Sequence, residues 1–235
     1  METLPLASAR RRSTTTPLLR PMRPEDEDDI RRIFRATLCR GRAAPRDIGD
    51  LAPYERLSLD WYLHHGRVEV VVDDGRVGGY LLACLDEPRL RAWQRRQAAR
   101  WTTRMLVEVL TGRRRGDARR FVTLRLRDGW TAWRHASRPP ASAHAHVNLD
   151  PSLRAGRIGP QLATTMDALV RAAGLDAWYG ELNLPANRRL ARLERAGAPV
   201  VHRYRSATFS WLAGEPIDHV VLLRTVGVPR AEGTR

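Results

Sequence analysis

His144-Ala145-His146-Val147-Asn148-Leu149-Asp150-Pro151-Ser152-Leu153-Arg154-Ala155-Gly156-Arg157-Ile158-Gly159-Pro160-Gln161-Leu162 reads as a strand, a loop and the first turn of a helix. Residues 143–149 have strand character, residues 150–156 carry loop chemistry, and Ile158, Leu162, Met166, Leu169 and Val170 fall on one face of a helix over 158–173 that Gly174 closes. A helix amino terminus leaves several backbone N–H groups without partners, and with the helix dipole they favour a pyrophosphate. Small residues at Ala155, Gly156 and Gly159 let phosphate oxygens approach the backbone. An ordinary β-turn-α connection has the same pattern, so the loop alone leaves both readings open.

Working outward, residues 18–22 suit a first strand, and Pro24 with the acidic run Glu25 to Asp29 suits a helix start. Ile30, Ile33, Phe34, Thr37 and Leu38 then recur at helical spacing. Residues 68–72 and 77–85 flank Asp73-Asp74-Gly75, the signature of a hairpin. Beyond Pro88, Leu90, Trp93, Gln97, Trp101, Met105 and Val109 share one face of a helix ending near Gly112. Downstream of the central helix we expect a strand over 177–184, a short helix over 185–196, and two closing strands over 200–212 and 218–226. The fold class is α/β: a mixed, mostly antiparallel sheet flanked by helices, with a helical Arg-rich insertion. Expected boundaries are a tail at 1–16, one domain at 17–227 with its insertion at about 88–140, and a tail at 228–235.

The chain of 235 residues is formally +15, and every basic residue is Arg. Of these, 14 lie between Arg89 and Arg134 against three acids, so the basicity is concentrated in the insertion. A solvated helix face with an apolar stripe on the body, the phosphates of a bound cofactor, an anionic acceptor or a nucleic acid would each account for it. Cys39 and Cys84 lack metal or redox spacing and read as free thiols. No apolar run approaches the roughly 18 residues that span a bilayer. The expectation is a cytoplasmic protein without a membrane partner.

The quoted block resembles the coenzyme-A-binding motif of the GNAT superfamily of N-acetyltransferases: Arg or Gln, two residues, Gly, one residue, Gly or Ala. Arg154 fills its first position and Gly159 its last, with Arg157 where the motif has glycine. Asn187, after the next strand, matches an asparagine that contacts the coenzyme in that superfamily. Leu193-Glu194-Arg195-Ala196-Gly197-Ala198 resembles its closing stretch without the usual tyrosine. The resemblance covers about residues 18–226 and is nearest to members with a long insertion before the fourth strand, related to acetyltransferase-like domains beside some bacterial hexosaminidases.

The resemblance implies acetyl-CoA as acyl donor and an amine-bearing acceptor, bound where the first helix region meets the insertion. It implies that Asn148, Leu149, Asp150, Arg154, Ala155, Gly156, Arg157, Ile158, Gly159 and Asn187 hold the coenzyme. Strand alternation puts His144, His146 and Asn148 on one face, and a histidine titrates near neutrality. His146 is therefore our candidate base, Asn148 its companion, and Tyr204 a candidate acid; each has a plain packing role as its alternative. No metal is expected, since His144 and His146 have no third ligand tied to them. A basic nucleic-acid-binding protein and a coenzyme-binding relative without turnover are the competing readings. A homodimer is compatible with the sequence.

Overall fold

A computed structural model describes residues 17–38, 47–135, 139–154, 158–187, 190–195 and 197–227. The two expected tails, Cys39, and the motif positions Ala155, Gly156 and Arg157 lie outside the described residues. Seven strands form one sheet in the order β1-β2-β3-β4-β5-β7-β6. They are β1 (Leu18–Pro21), β2 (Arg67–Asp73), β3 (Arg76–Cys84), β4 (Ala143–Leu149), β5 (Ala177–Pro185), β6 (Val200–Arg205) and β7 (Ile217–Thr225). Every pairing is antiparallel except β4 with β5.

The expected hairpin is the β2–β3 turn, where Asp74 (φ 47°) and Gly75 (φ 75°) both adopt the positive φ that matches strand twist. Further along β3, Gly78 and Gly79 serve a close approach. A Cβ on Gly79 would meet Leu149 Cδ2 at 2.4 Å, and one on Gly78 would meet Leu153 Cδ1 at 2.8 Å. The missing side chains let the end of β4 and the following 3₁₀ turn (Pro151–Leu153) seat directly on the strand. Asp150 N–H donates to Gly78 O at 2.8 Å and fixes that seat.

Helices cover both faces. On one, α5 (Ile158–Ala172) buries Ile158, Leu162, Met166 and Val170 against Val71, Leu81, Ala83 and Ala145. On the other, α1 (Glu27–Leu38) and α2 (Ala52–His65) bury Ile30, Ile33, Phe34, Leu59 and Tyr62 against Val70, Tyr80, Leu82 and Cys84. Cys84 is a free thiol in this core, and burial pushes its pKa up to about 12.

The insertion consists of two helices, α3 (Glu87–Leu110) and α4 (Gly116–His135). The expected apolar stripe of α3 faces the body, with Leu90 and Met105 fully buried. Two readings of the carboxyl-terminal third need correction. The strand expected over 200–212 ends at Arg205, because the Ser206 hydroxyl accepts Phe209 N–H and starts α7 (Ala207–Ala213). The helix expected over 185–196 is only α6 (Ala191–Arg195), because β5 stays paired with β7 as far as Pro185.

Asp128 ties α4 to α7. Its carboxylate accepts Ser206 Oγ (2.7 Å), Ala207 N (2.7 Å) and Thr208 N (3.0 Å), and it is buried. Asp128→Ala leaves these donors unpaired and should cost about 2–4 kcal/mol in urea unfolding. A loss below about 1 kcal/mol would contradict this anchoring role.

Candidate active site

β4 and β5 share only three residue pairs: Ala143 with Trp178, His144 with Tyr179, and Ala145 with Gly180. Past that point they part, while β4 continues on β3 as far as Leu149 and β5 continues on β7 as far as Pro185. Alternation aims His144, His146 and Asn148 of β4 and Tyr179, Glu181 and Asn183 of β5 at the same face. β7 adds His219 and β6 adds Tyr204 through the registers Asn183↔His219 and Tyr204↔His219.

Over this face lies a cavity of about 440 Å³. Its walls come from α1 (Phe34, Thr37), α2 (Tyr54, Tyr62) and the insertion (Gln94, Arg125), and its floor holds His146, Glu181 and His219. A second hollow of about 370 Å³ shares Gln94, Ala132, His144, Glu181 and Tyr204 with it. The two form one cleft with Glu181 in the common wall. The insertion thus lines the candidate site through Gln94, Arg125 and Ala132.

Glu181 was not picked out by the sequence. Its carboxylate reaches the cavity, with 45% of the side chain exposed, and Oε2 lies 3.5 Å from His219 Nε2. His219 Nδ1 in turn lies 3.2 Å from Asn183 Oδ1, which orients the ring. Burial acts to raise the Glu181 pKa, but His219, His144, His146 and Arg91 outweigh it and the net direction is downward.

The sequence candidates fall as follows. His146 lines the cavity; burial, with His144 beside it, lowers its pKa to about 4. Its Nε2 lies 3.3 Å from Asn148 Nδ2, and that amide also donates to Tyr80 OH at 2.6 Å. His144 is buried and shifted down by burial; its Nδ1 bonds the Tyr62 hydroxyl, and its ring lies 4.4 Å from that of Tyr179. Tyr204 borders both hollows, 4.9 Å from the His219 ring, and burial with the Glu181 and Asp128 carboxylates raises its pKa.

Of the coenzyme candidates, Asn148, Leu149 and Asp150 end β4 and begin its loop. Arg154 is exposed and donates from Nε to Leu149 O at 3.0 Å. Ile158 packs in the core, so only its backbone faces the loop. Gly159 is exposed, with nothing within 4 Å of where a Cβ would stand. Asn187 is exposed in the turn after β5 rather than opening a helix. Among the described residues no cluster of three or more His, Cys, Asp or Glu could hold a metal ion, and no helix is long and apolar enough to cross a membrane.

No family model matches the chain, and no curated protein matches it in sequence. Solved structures do match. A GNAT-superfamily phosphinothricin acetyltransferase from Sinorhizobium meliloti, in complex with acetyl-CoA, is 18% identical over 94% of this chain and 95% of that one, with a TM-score of 0.53. An agmatine N-acetyltransferase is 16% identical over 89% and 99%, with a TM-score of 0.51. An N-acetyltransferase from Staphylococcus aureus Mu50 is 11% identical over 91% and 100%, with a TM-score of 0.50. This chain therefore has the fold that these N-acetyltransferases share.

The histidines set a pH dependence of stability. Unfolded His146 takes its proton near pH 6.5, whereas the folded residue resists until about 4. Its contribution is fully present above about pH 6.5 and is lost as pH falls from there to about 4, by up to about 3 kcal/mol. Unfolding free energies measured between pH 7 and 4.5 should fall more steeply for the wild type than for His146→Gln. Parallel curves would contradict the neutral, buried assignment.

Proposed function

We propose that the chain is an acetyl-CoA-dependent N-acetyltransferase acting on a small amine. The observation that carries this reading is the placement of Glu181, 3.5 Å from His219, where β4 and β5 part beneath a cleft walled by α1, α2 and the insertion. The fold is one on which the neighbours named above are acetyltransferases, one of them in complex with acetyl-CoA.

The residues present fit such a donor. Among the described residues β4 has no partner on its β5 side past Ala145, so its backbone around Asn148 to Asp150 is available to an extended chain. The amino-terminal end of α5 faces the loop, where a helix dipole favours phosphate, and the space over Gly159 is open. Arg154 adds a nearby cation and Asn187 an amide at the mouth of the gap. When bound, acetyl-CoA supplies a thioester as the acyl donor.

The chain's own groups then act on the acceptor. Glu181 attracts the amine as its ammonium form and orients it. The ammonium first gives one proton to solvent, which frees the lone pair that attacks the thioester carbonyl. The protons left on nitrogen become strongly acidic as the N–C bond forms, so a carboxylate below the usual range is basic enough to take one, and the C–S bond breaks to release a thiolate. His219 lies beside that carboxylate and is held by Asn183. Tyr204, which stays protonated at neutral pH, is the neighbouring donor. His146 becomes a positioning residue, because its neutral ring carries no charge to hold an ammonium and its Nε2 faces the Asn148 amide at 3.3 Å.

Calorimetry with acetyl-CoA should give one site, weakened at least tenfold by Gly159→Trp. Glu181→Gln should keep that affinity within about threefold and lose about 10²-fold or more in thiol release over an amine panel. Absence of binding contradicts the coenzyme reading. Binding without turnover in the wild type favours a binding-only relative, and undiminished turnover in Glu181→Gln removes it as base.

A further inference from the structure

The cleft has a cation as well as a carboxylate. Arg125, on α4, lines the 440 Å³ cavity that Glu181 and His219 floor. Its guanidinium sits 4.9 Å from the centre of the Tyr54 ring and 5.8 Å from that of Phe209, so two aromatic faces hold it in place. Stacking leaves the in-plane N–H donors unused, and among the described residues the guanidinium makes no hydrogen bond. Its nearest carboxylate, Asp128, is 3.9 Å away, at the edge of ion-pair distance. The Asp128 oxygens already accept three hydrogen bonds from α7. Arg125 therefore brings to the cavity a guanidinium that two rings hold in place and whose N–H donors are unused among the described residues, with Asp128 beyond hydrogen-bond distance.

Around this pair of charges the wall is mixed, with Phe34, Leu38 and Leu57 beside the two stacked rings and Asp128 and Gln94 among its polar groups. A cavity of this volume takes a metabolite-sized ligand. An acceptor that is only an amine would satisfy Glu181 and leave a partly desolvated guanidinium unanswered. One that carries an anion as well as its amine answers both. We propose that the acceptor is a carboxylate-bearing amine, an amino acid in chemical class, with Arg125 as the specificity-determining residue that takes the carboxylate. Arg is suited to this because its planar fork pairs with a carboxylate through two parallel hydrogen bonds. The inference rests on the acetyltransferase reading above for the position of the amine, but not for the binding of the acid.

The test compares acids with their decarboxylated partners: phenylalanine with 2-phenylethylamine, and leucine with 3-methylbutylamine, each as acceptor with acetyl-CoA. The wild type should prefer the acid in kcat/KM by about 30-fold or more, mainly through KM. The ratio should collapse towards one in Arg125→Gln and return in part in Arg125→Lys. A wild-type ratio near one, or a ratio unchanged in Arg125→Gln, overturns the proposal while leaving acetyl transfer standing. If no amine is acetylated at all, the function reading fails separately. Calorimetry with N-acetylphenylalanine against N-acetyl-2-phenylethylamine then decides the site: selective binding of the acid, lost in Arg125→Gln, supports it, and equal or absent binding overturns it. Acetyl-CoA affinity should change less than threefold in Arg125→Gln. A larger loss would assign the guanidinium to the coenzyme's phosphates and overturn the acceptor assignment.

Discussion

Three residue pairs hold β4 to β5, and everything of interest follows from their stopping there. Each strand is secured from its outer side, β4 by six pairs with β3 and β5 by nine with β7, so the gap between them is a fixed feature. The gap leaves one edge of β4 open and turns the ends of both strands towards α5 and the insertion. Gly78 and Gly79 complete the arrangement by letting Leu149 and Leu153 sit flat on β3, which sets where the loop before α5 begins.

The electrostatics of the cleft divide by burial. Desolvation keeps His144 and His146 neutral and the Tyr62, Tyr80 and Tyr204 hydroxyls protonated, so these groups act through hydrogen bonds. Glu181 reaches the cavity and is held anionic by the charges around it. The insertion adds the opposite sign. Several of its arginines are spent within the fold: Arg91 on Glu87, and both Arg104 and Arg114 on Glu108. Arg125 differs because the Asp128 oxygens accept from α7 and stay 3.9 Å away, so its N–H donors are not taken up by that carboxylate. The anchoring of the insertion and the unused donors in the cavity are thus two consequences of one carboxylate.

The sequence was legible where the physics is local. Period-two alternation placed His144, His146 and Asn148 on one face, and Asp73-Asp74-Gly75 marked a turn whose positive φ angles the structure bears out. The apolar stripe of α5 packs as its spacing requires. What escaped depends on partners distant in the chain. Glu181 becomes a site residue only through pairing with β7, 36 residues after Asn183 in the case of His219. The alternation Tyr179, Glu181, Asn183 was its one visible signal. Arg125 looked like any of the 14 arginines around it until Tyr54 and Phe209 closed on it. The break at Ser206 was hidden because β-favouring residues surround a single capping hydroxyl.

Hydrogen exchange with and without acetyl-CoA tests the central claim most directly, since it reports on backbone groups rather than on any chosen side chain. The account predicts slowed exchange in peptides covering residues 146–154 and 158–162, with β1 and β2 unchanged. Unaltered exchange at the β4 edge and the start of α5 under saturating acetyl-CoA would contradict it.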